Sequence, residues 1–177
     1  MRRLITSGLV SVDGVHGDPQ DWAGEYSDEE AGEQWLALLL ESDAMLMGRN
    51  TYELFSRFWS DPVGPYLTRI HELPKYVFSS TLKKADWNNS TIVSGDAASA
   101  VRELKEQGDG HLIVYGLGQL SQSLLEHGLV DEMQLIVNPV VLGSGTPLFR
   151  PGKRANLRLA SVAQRRNGVV TLSYVPA

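Results

Sequence analysis

Three short segments place glycine, hydroxyl-bearing or cationic residues at the point where a predicted strand ends. They are residues 47–53, 78–81 and 115–119. A helix N-terminus offers unpaired N–H groups and the positive end of the helix dipole, and both favour a bound phosphate. Ligands of open α/β sheets bind beyond the carboxyl ends of the strands, so we expect the three segments to share one edge. Together they predict a nucleotide site, although each alone is also typical of an ordinary turn or a capped helix.

The first segment joins a short apolar strand directly to a predicted helix. Gly48 permits a close turn, Arg49 adds a permanent planar cation, and Thr51 adds a hydroxyl. We expect Asn50 or Thr51 to cap the helix. The segment can therefore hold a phosphate, or it can be a capped helix with a surface arginine.

The other two segments are less specific. Ser79, Ser80 and Thr81 provide three hydroxyls that could meet a phosphate or a ribose, or form an ordinary turn. Gly116 and Gly118 could let the backbone approach a pyrophosphate. The full dinucleotide fingerprint would place Gly or Ala three positions after Gly118, where this chain has Ser121.

The hydrophobic pattern predicts the elements that position these segments. Strands are predicted at residues 3–10, 44–47, 76–79, 91–94, 111–115 and 133–141, with a terminal hairpin at 157–165 and 169–175. Helices are predicted at residues 27–41, 50–58, 96–108 and 118–127, with a capping box at 27–30, a loop at 11–26 and a Pro/Gly break at 61–65. We expect Trp35, Leu36, Leu39 and Leu40 in the core. The alternation predicts an α/β protein with a mostly parallel sheet, helices on both faces and a C-terminal antiparallel hairpin.

Composition narrows the class of protein. With 177 residues, 42% hydrophobic and 21% charged, we expect a single domain over residues 1–177. The net charge of −5 argues against nucleic-acid binding, no apolar run approaches the ~20 residues of a membrane span, and a cytoplasmic protein is expected. Without cysteine, and without paired histidines at ligand spacing, no metal site is expected.

Charge is distributed unevenly along the chain. Residues 4–48 contain no Lys or Arg, and residues 133–177 contain no Asp or Glu. The basic residues of the second region are Arg150, Lys153, Arg154, Arg158, Arg165 and Arg166. We expect the two regions to approach each other, within one chain or across a dimer, rather than the second to bind a polyanion.

The motifs resemble those of the dihydrofolate-reductase-like superfamily. Residues 46–53 are similar to its Gly-Arg-x-Thr helix start, residues 79–82 to its Ser-Ser segment, and residues 115–118 to its late glycine turn. Residues 11–14, 128–132 and 138–145 look like the reductase domain of bacterial bifunctional riboflavin-pathway deaminase–reductases. The match runs in order from about residue 5 to residue 149.

This resemblance implies a three-layer dihydrofolate reductase-like fold and NADPH as the cofactor. It places Arg49 and Ser80 near the adenosine 2′-phosphate and a loop containing Trp22 over the nicotinamide. The other residues that it places in the cofactor site are Gly48, Thr51, Tyr52, Ser79, Gly116, Leu117, Gly118 and Gln119.

A reduction also needs a proton, for which three side chains are candidates. Asp13 could supply it from the mouth of the cleft, or simply form a turn. Glu33 could supply it from the first helix, or be a solvated carboxylate. Tyr115 could donate to a substrate carbonyl, or pack beneath the glycine turn.

Two departures from the family pattern affect the substrate. Gly32, with Glu33 beside it, stands where dihydrofolate reductases carry a pterin-binding carboxylate, and Tyr115 stands where the riboflavin-pathway domain usually has an acidic residue. The leading hypothesis is an NADPH-dependent reductase of a small heterocycle, specifically a 5-amino-6-(5-phosphoribosylamino)uracil-type pyrimidine. The alternatives are a dihydrofolate or pterin reductase, and a nucleotide-binding protein without turnover. A homodimer is also expected.

Overall fold

An eight-stranded sheet runs through the structure, a computed structural model that describes residues 1–152 and 154–177. In chain order its strands are β1 (Leu4–Ser11), β2 (Ser42–Gly48), β3 (Lys75–Phe78), β4 (Ser90–Val93), β5 (His111–Tyr115), β6 (Glu132–Asn138), β7 (Leu157–Gln164) and β8 (Val170–Pro176). In space they follow the order β4-β3-β2-β5-β1-β6-β8-β7. Strands β1 to β6 pair in parallel, and β8 pairs antiparallel with both β6 and β7. The predicted parallel sheet and terminal hairpin are confirmed.

Helices cover both faces of the sheet, as predicted. They are α1 (Glu29–Leu40), α2 (Arg49–Phe58), α3 (Gly64–Glu72), α4 (Ala97–Lys105) and α5 (Gln119–Glu126). Helices α1 to α3 bury Leu39, Tyr52 and Ile70 in one core cluster, and α4 and α5 contribute Val101 and Leu124 to the other. None of these helices, nor any other in the described residues, is long and apolar enough to cross a membrane.

Helix α3 was not predicted, because the sequence pattern indicates only a Pro/Gly break at residues 61–65. Pro65 stands in the first turn of the helix, where its missing N–H leaves no hydrogen bond unmade and its fixed φ suits the helix. A proline, which would interrupt a helix in its middle, therefore stands at the start of one here. Ile70 is fully buried, so packing against the sheet stabilises this nine-residue helix.

Three details of the other elements also differ from the predictions. Asp28, not Ser27, caps α1 by accepting from the Ala31 N–H at 2.9 Å, because the Ser27 hydroxyl donates to the Ala23 carbonyl. Of the four α1 residues expected in the core, Leu39 is fully buried, whereas Leu40 is 63% exposed. Strand β6 ends at Asn138 rather than at residue 141, since the following proline has no N–H to donate.

The acidic and basic regions do meet within one chain. Arg165 is almost fully buried and places Nη1 3.2 Å from the Tyr26 carbonyl oxygen and 3.5 Å from the Asp28 carboxylate. The Asn167 amide also donates to Asp28, at 2.8 Å. The turn between β7 and β8 is thereby fixed to the start of α1. Lys153 lies outside the described residues.

Candidate functional site

Two helix N-termini meet at the carboxyl edge of the sheet. Helix α2 starts after Gly48 and α5 starts after Gly118, and neither has a side-chain cap. Their first N–H groups therefore lack a capping side chain. The Thr51 hydroxyl oxygen lies 3.8 Å from the position that a Cβ atom on Gly116 would occupy, so the two helix starts adjoin. This arrangement, which we call the phosphate cradle, concentrates donors and positive dipole ends in one place.

The glycine turn between β5 and α5 is held in a fixed shape. Gly116 has φ 92°, a left-handed conformation that side-chain-bearing residues rarely adopt. The Ser121 hydroxyl donates to the Gly116 carbonyl at 2.6 Å. The departure from the dinucleotide fingerprint at Ser121 thus supplies a hydrogen bond that stabilises the turn. Leu117 lies buried against Gly8, so only its backbone can reach the cradle.

Arg49 joins the first and second segments. Its Nη1 donates to the Thr81 hydroxyl at 2.9 Å, and its Nε lies 2.7 Å from the Glu53 carboxylate. Ser80 beside them is exposed. The guanidinium is therefore oriented by two neighbours beside the cradle. The Thr81 hydroxyl, one of the three hydroxyls singled out in the second segment, belongs to this corner. Glu53 belongs to it as well and was not among the residues expected at the site.

Two of the residues expected to bind the cofactor have structural roles for their side chains. The N-cap of α2 is Gly48 rather than Asn50 or Thr51, and the helix begins at Arg49. The backbone N–H of Tyr52 therefore lies past the first turn, whose N–H groups have no partner within the helix. The Tyr52 ring is buried, and its hydroxyl accepts a hydrogen bond from the backbone N–H of Trp87 at 3.1 Å. The Ser79 hydroxyl accepts the N–H of Leu82 at 2.9 Å and so forms a turn.

The loop after β1 is anchored by Asp13. The Asp13 carboxylate accepts from the Ser11 hydroxyl at 2.6 Å, from the Leu142 N–H at 3.1 Å and from the Gly143 N–H at 2.8 Å. These hydrogen bonds, with Ser11 the largest cause, lower the pKa of Asp13 from 3.8 to about 2. Asp13 therefore anchors the loop in its ionised form, and its part as a proton donor stays a prediction.

The Asp13 anchor predicts a pH-dependent contribution to stability. Because folding lowers the pKa, the contribution is present above pH 3.8 and is lost as the pH falls through about 2. Asp13→Asn should therefore unfold more easily than the parent at pH 5, and the difference should disappear at pH 2. Urea denaturation at several pH values measures this, and a difference that stays constant with pH would contradict it.

Trp22 in the loop after β1 and Glu33 on α1 are two further residues that the sequence singled out for the site. Trp22 is partly buried, and its indole N–H donates to the Gly17 carbonyl at 2.8 Å, which holds the loop in a compact form. Glu33 is exposed on α1. A Cβ on Gly32 would meet no atom within 4 Å, so open space remains beside that turn of the helix.

Tyr115 ends β5 next to the glycine turn, and its hydroxyl is buried. Burial raises the pKa of Tyr115 well above 10, and the neighbouring Tyr66 adds to the effect. Burial also raises the pKa of Tyr66 to about 12, an effect that the Tyr115 hydroxyl partly offsets. Both phenols therefore keep their protons near neutral pH and can act as hydrogen-bond donors.

An open, mostly parallel sheet with a phosphate cradle at its carboxyl edge defines a class of α/β ligand-binding proteins. Within that class, the chain belongs to the RibD C-terminal domain family, whose profile matches residues 2–171. A Bacillus subtilis (strain 168) relative, the uncharacterized protein YyaP, is 31% identical over 182 residues that cover 98% of this chain and 94% of the relative. YwjB of the same organism, also uncharacterized, is 28% identical over 99% of both chains.

Solved structures confirm the fold. A structure described as a candidate riboflavin biosynthesis protein from Shewanella sp. PV-4 superposes with a TM-score of 0.80 at 24% identity, covering 99% of both chains. A Thermotoga maritima diaminohydroxyphosphoribosylaminopyrimidine deaminase/5-amino-6-(5-phosphoribosylamino)uracil reductase gives a TM-score of 0.68 at 13% identity. That match covers 99% of this chain and 57% of the longer one. The predicted family resemblance and fold are therefore correct.

Proposed function

We propose that the protein is an NADPH-dependent reductase of a small heterocyclic substrate. The observation that carries this proposal is the meeting of the Arg49 corner and the Gly116 turn at one edge of the sheet. The cradle would hold the pyrophosphate, and Arg49 with Ser80 and Thr81 would hold the adenosine 2′-phosphate. The cofactor, when bound, supplies a hydride.

The chain's own residues would position the reaction and exclude water. The loop anchored by Asp13 and by the Arg165 contacts crosses the open end of β1, and its compact form would shield the reacting atoms. Among the three proton-donor candidates, Tyr115 is retained because its protonated hydroxyl lies buried beside the glycine turn. Glu33, which is exposed, has no contact that supports a catalytic role.

For the substrate, the family points to a ribosylaminopyrimidine of the 5-amino-6-(5-phosphoribosylamino)uracil type. The Thermotoga protein, whose name includes that reductase activity, supports this choice. A pterin is the second candidate, which Gly32 disfavours because no carboxylate stands there to orient it. Turnover of each compound with NADPH would separate them from each other and from a binder without turnover.

The cofactor assignment is tested by titrating the protein with NADPH and NADH and following cofactor fluorescence. We expect micromolar NADPH binding and weaker NADH binding. Arg49→Ala should weaken NADPH by about 1–3 kcal/mol, the range for a charge-assisted contact, and leave NADH nearly unchanged. Arg57→Ala, on the same helix but with its guanidinium over the Phe58 ring, is the matched control. Equal affinities for the two cofactors in the parent would overturn the assignment.

We also propose a homodimer formed along β7. This edge strand has Leu159 46% exposed and Val162 55% exposed, and its only charged residue is Arg158. Exposed edges of this kind can pair with another strand, and the one irregularity of β7, between Leu159 and Ser161, leaves residues 161–164 as the regular stretch for a partner.

The dimer proposal predicts a change of mass on substitution. Val162→Lys should convert the dimer to a monomer, because a charge on the edge opposes pairing with a second copy. Light scattering after size-exclusion chromatography measures the mass. Val63→Lys changes a residue that is 75% exposed before α3 and should leave the mass unchanged. A parent that is monomeric at tens of micromolar would refute the dimer.

A further inference from the structure

The turn between β7 and β8 contains an asparagine followed directly by a glycine, Asn167-Gly168. Because glycine has no side chain to shield its backbone nitrogen, that nitrogen can approach the side-chain amide of a preceding asparagine. The other five asparagines of the chain are each followed by a larger residue. Asn167 is half-buried and Gly168 is exposed, so water can reach this turn. The pair is therefore the position of the chain where asparagine chemistry is least hindered.

The side chain of Asn167 connects this turn to the start of α1. Its amide nitrogen donates to the Asp28 carboxylate at 2.8 Å and to the Tyr26 carbonyl at 3.2 Å. Its amide oxygen accepts the Val169 N–H at 3.2 Å. These contacts use both donors of the amide and its acceptor oxygen. The contact with Asp28 is charge-assisted, so we expect it to be the strongest of the three.

The closed turn also holds the backbone nitrogen that would react with Asn167. The Gly168 N–H donates to the Arg165 carbonyl at 3.1 Å, and Gly168 has φ 88°. Attack on the Asn167 amide requires this nitrogen to leave Arg165 and the amide to leave Asp28. Exposed turns open locally at a small fraction of the free energy of global unfolding. The contacts of the closed turn therefore protect Asn167, and the protection ends whenever the turn opens.

We propose that Asn167 is a site of spontaneous deamidation, and that its conversion to aspartate or isoaspartate releases the β7–β8 turn from the start of α1. The Gly168 nitrogen forms a bond to Cγ of Asn167, and the side-chain nitrogen leaves as ammonia with the Gly168 amide proton. Water then opens the cyclic imide at either of its two carbonyls. Nothing is oxidised or reduced, and water is the only other reactant.

The product of this reaction cannot restore the contacts that the amide made. A carboxylate at position 167 has no N–H to donate, so the hydrogen bonds to Tyr26 and Asp28 are lost. Its negative charge also lies beside that of Asp28, which has Arg165 as its cationic neighbour at 3.5 Å. One guanidinium then faces two carboxylates, at the start of a helix whose first turn already holds Glu29 and Glu30. Deamidation therefore loosens the end of the loop over the candidate site, while Asp13 still anchors its start.

The modification is measured by keeping the intact protein at mildly alkaline pH and following the peptide that contains residue 167 by mass spectrometry. Conversion adds about 1 Da, and enzymatic methylation identifies the isoaspartate. We expect Asn167 to convert at least about tenfold more slowly than in a synthetic peptide of residues 163–172, because the closed turn protects it. Asn156, which precedes Leu157, should stay unchanged. An intact protein without conversion after the peptide has fully reacted would overturn the site. Equal rates would overturn the protection by the turn.

Asn167→Asp tests the structural consequence directly. We expect its melting temperature to fall by about 4 °C or more, the loss of a charge-assisted hydrogen bond. Cleavage after the exposed Glu25 by a Glu-specific protease should become faster, and trypsin is unsuitable because residues 4–48 contain no Lys or Arg. Asn156→Asp is the matched control, since it adds the same charge at an exposed position whose oxygen can still accept from Arg154. It should change neither measurement.

A second variant identifies the contact that matters. Adding Asp28→Asn to Asn167→Asp exchanges donor and acceptor, and asparagine caps a helix as well as aspartate does. We expect this pair of changes to restore the melting temperature and the slow cleavage. Failure to restore them would overturn the contact between residues 28 and 167 as the link. Melting and cleavage of Asn167→Asp like those of the parent would overturn the release of the loop. These measurements need no cofactor, so they stand apart from the proposed reductase function.

Discussion

Gly116→Ala is expected to weaken NADPH binding at least thirtyfold, about 2 kcal/mol. The new methyl group would lie 3.8 Å from the Thr51 hydroxyl, inside the phosphate cradle, where we place the pyrophosphate. The backbone would also be strained, because Gly116 has φ 92° and a left-handed conformation costs an L-residue roughly 1–2 kcal/mol. Titration of NADPH by fluorescence and thermal melting of the free protein measure the two effects separately.

Gly128→Ala is the matched control for backbone strain. Gly128 has φ 67° at the other end of α5, and a Cβ there would meet no atom within 4 Å. This variant should lose about as much stability as Gly116→Ala and bind NADPH like the parent. Equal NADPH affinities in Gly116→Ala and the parent would mean that the cradle does not hold the cofactor.

Asp131→Ala is expected to lower the free energy of unfolding by about 2–3 kcal/mol. Asp131 accepts the Leu4 N–H at 2.6 Å and pairs with Lys105, whose side chain is 9% exposed. Removing one partner of a buried pair costs about 3–5 kcal/mol, and the 39% exposure of the Asp131 side chain reduces that figure. Urea denaturation followed by tryptophan fluorescence measures the change.

Asp86→Ala provides the comparison for Asp131. Its carboxylate lies 2.8 Å from the Lys84 ammonium, but the Asp86 and Lys84 side chains are 73% and 80% exposed. Water screens exposed pairs, so the expected loss is below about 0.5 kcal/mol. Similar losses in the two variants would show that Lys105 finds other partners when Asp131 is removed.

The fold could be predicted from local patterns wherever those patterns were strong. The Leu-Ile-Val run of β5 predicted a buried strand, and Leu112, Ile113 and Val114 are indeed fully buried. Asn167 and Gly168 correctly placed the terminal turn, where Gly168 has φ 88°. Helix α3 was not predicted because a proline can either start a helix or interrupt one. Tertiary packing decides which of the two Pro65 does.

The contacts around the proposed cofactor corner were easier to predict from the sequence than those among the aromatic rings. The residues of the cradle form two short runs around Gly48 and Gly116. Each run joins a strand directly to a helix, and this pattern can be recognised in the sequence. The aromatic rings that contact one another between Trp35 and Tyr115 come from α1, α2, α3 and β5, and no spacing in the sequence links Trp35 to Tyr66. Phe55 on α2 and Trp59, the residue that follows its last turn, were the available signal, because they are four residues apart. The anchoring contacts of Asp13 could not be predicted, because its partners, Leu142 and Gly143, are distant in sequence.

The anchors of the loop over the site determine when the site can form during synthesis of the chain. Asp13 is held by residues 142 and 143, and the end of the loop is held by Arg165. The phosphate cradle, by contrast, is complete once α5 has been made, and β1 then still awaits β6 as a neighbour. In a nascent chain the phosphate cradle that we propose therefore stays open and unshielded until residues 142, 143 and 165 have been made. Contacts of such long sequence separation form slowly, so closure of the loop is a late event in folding.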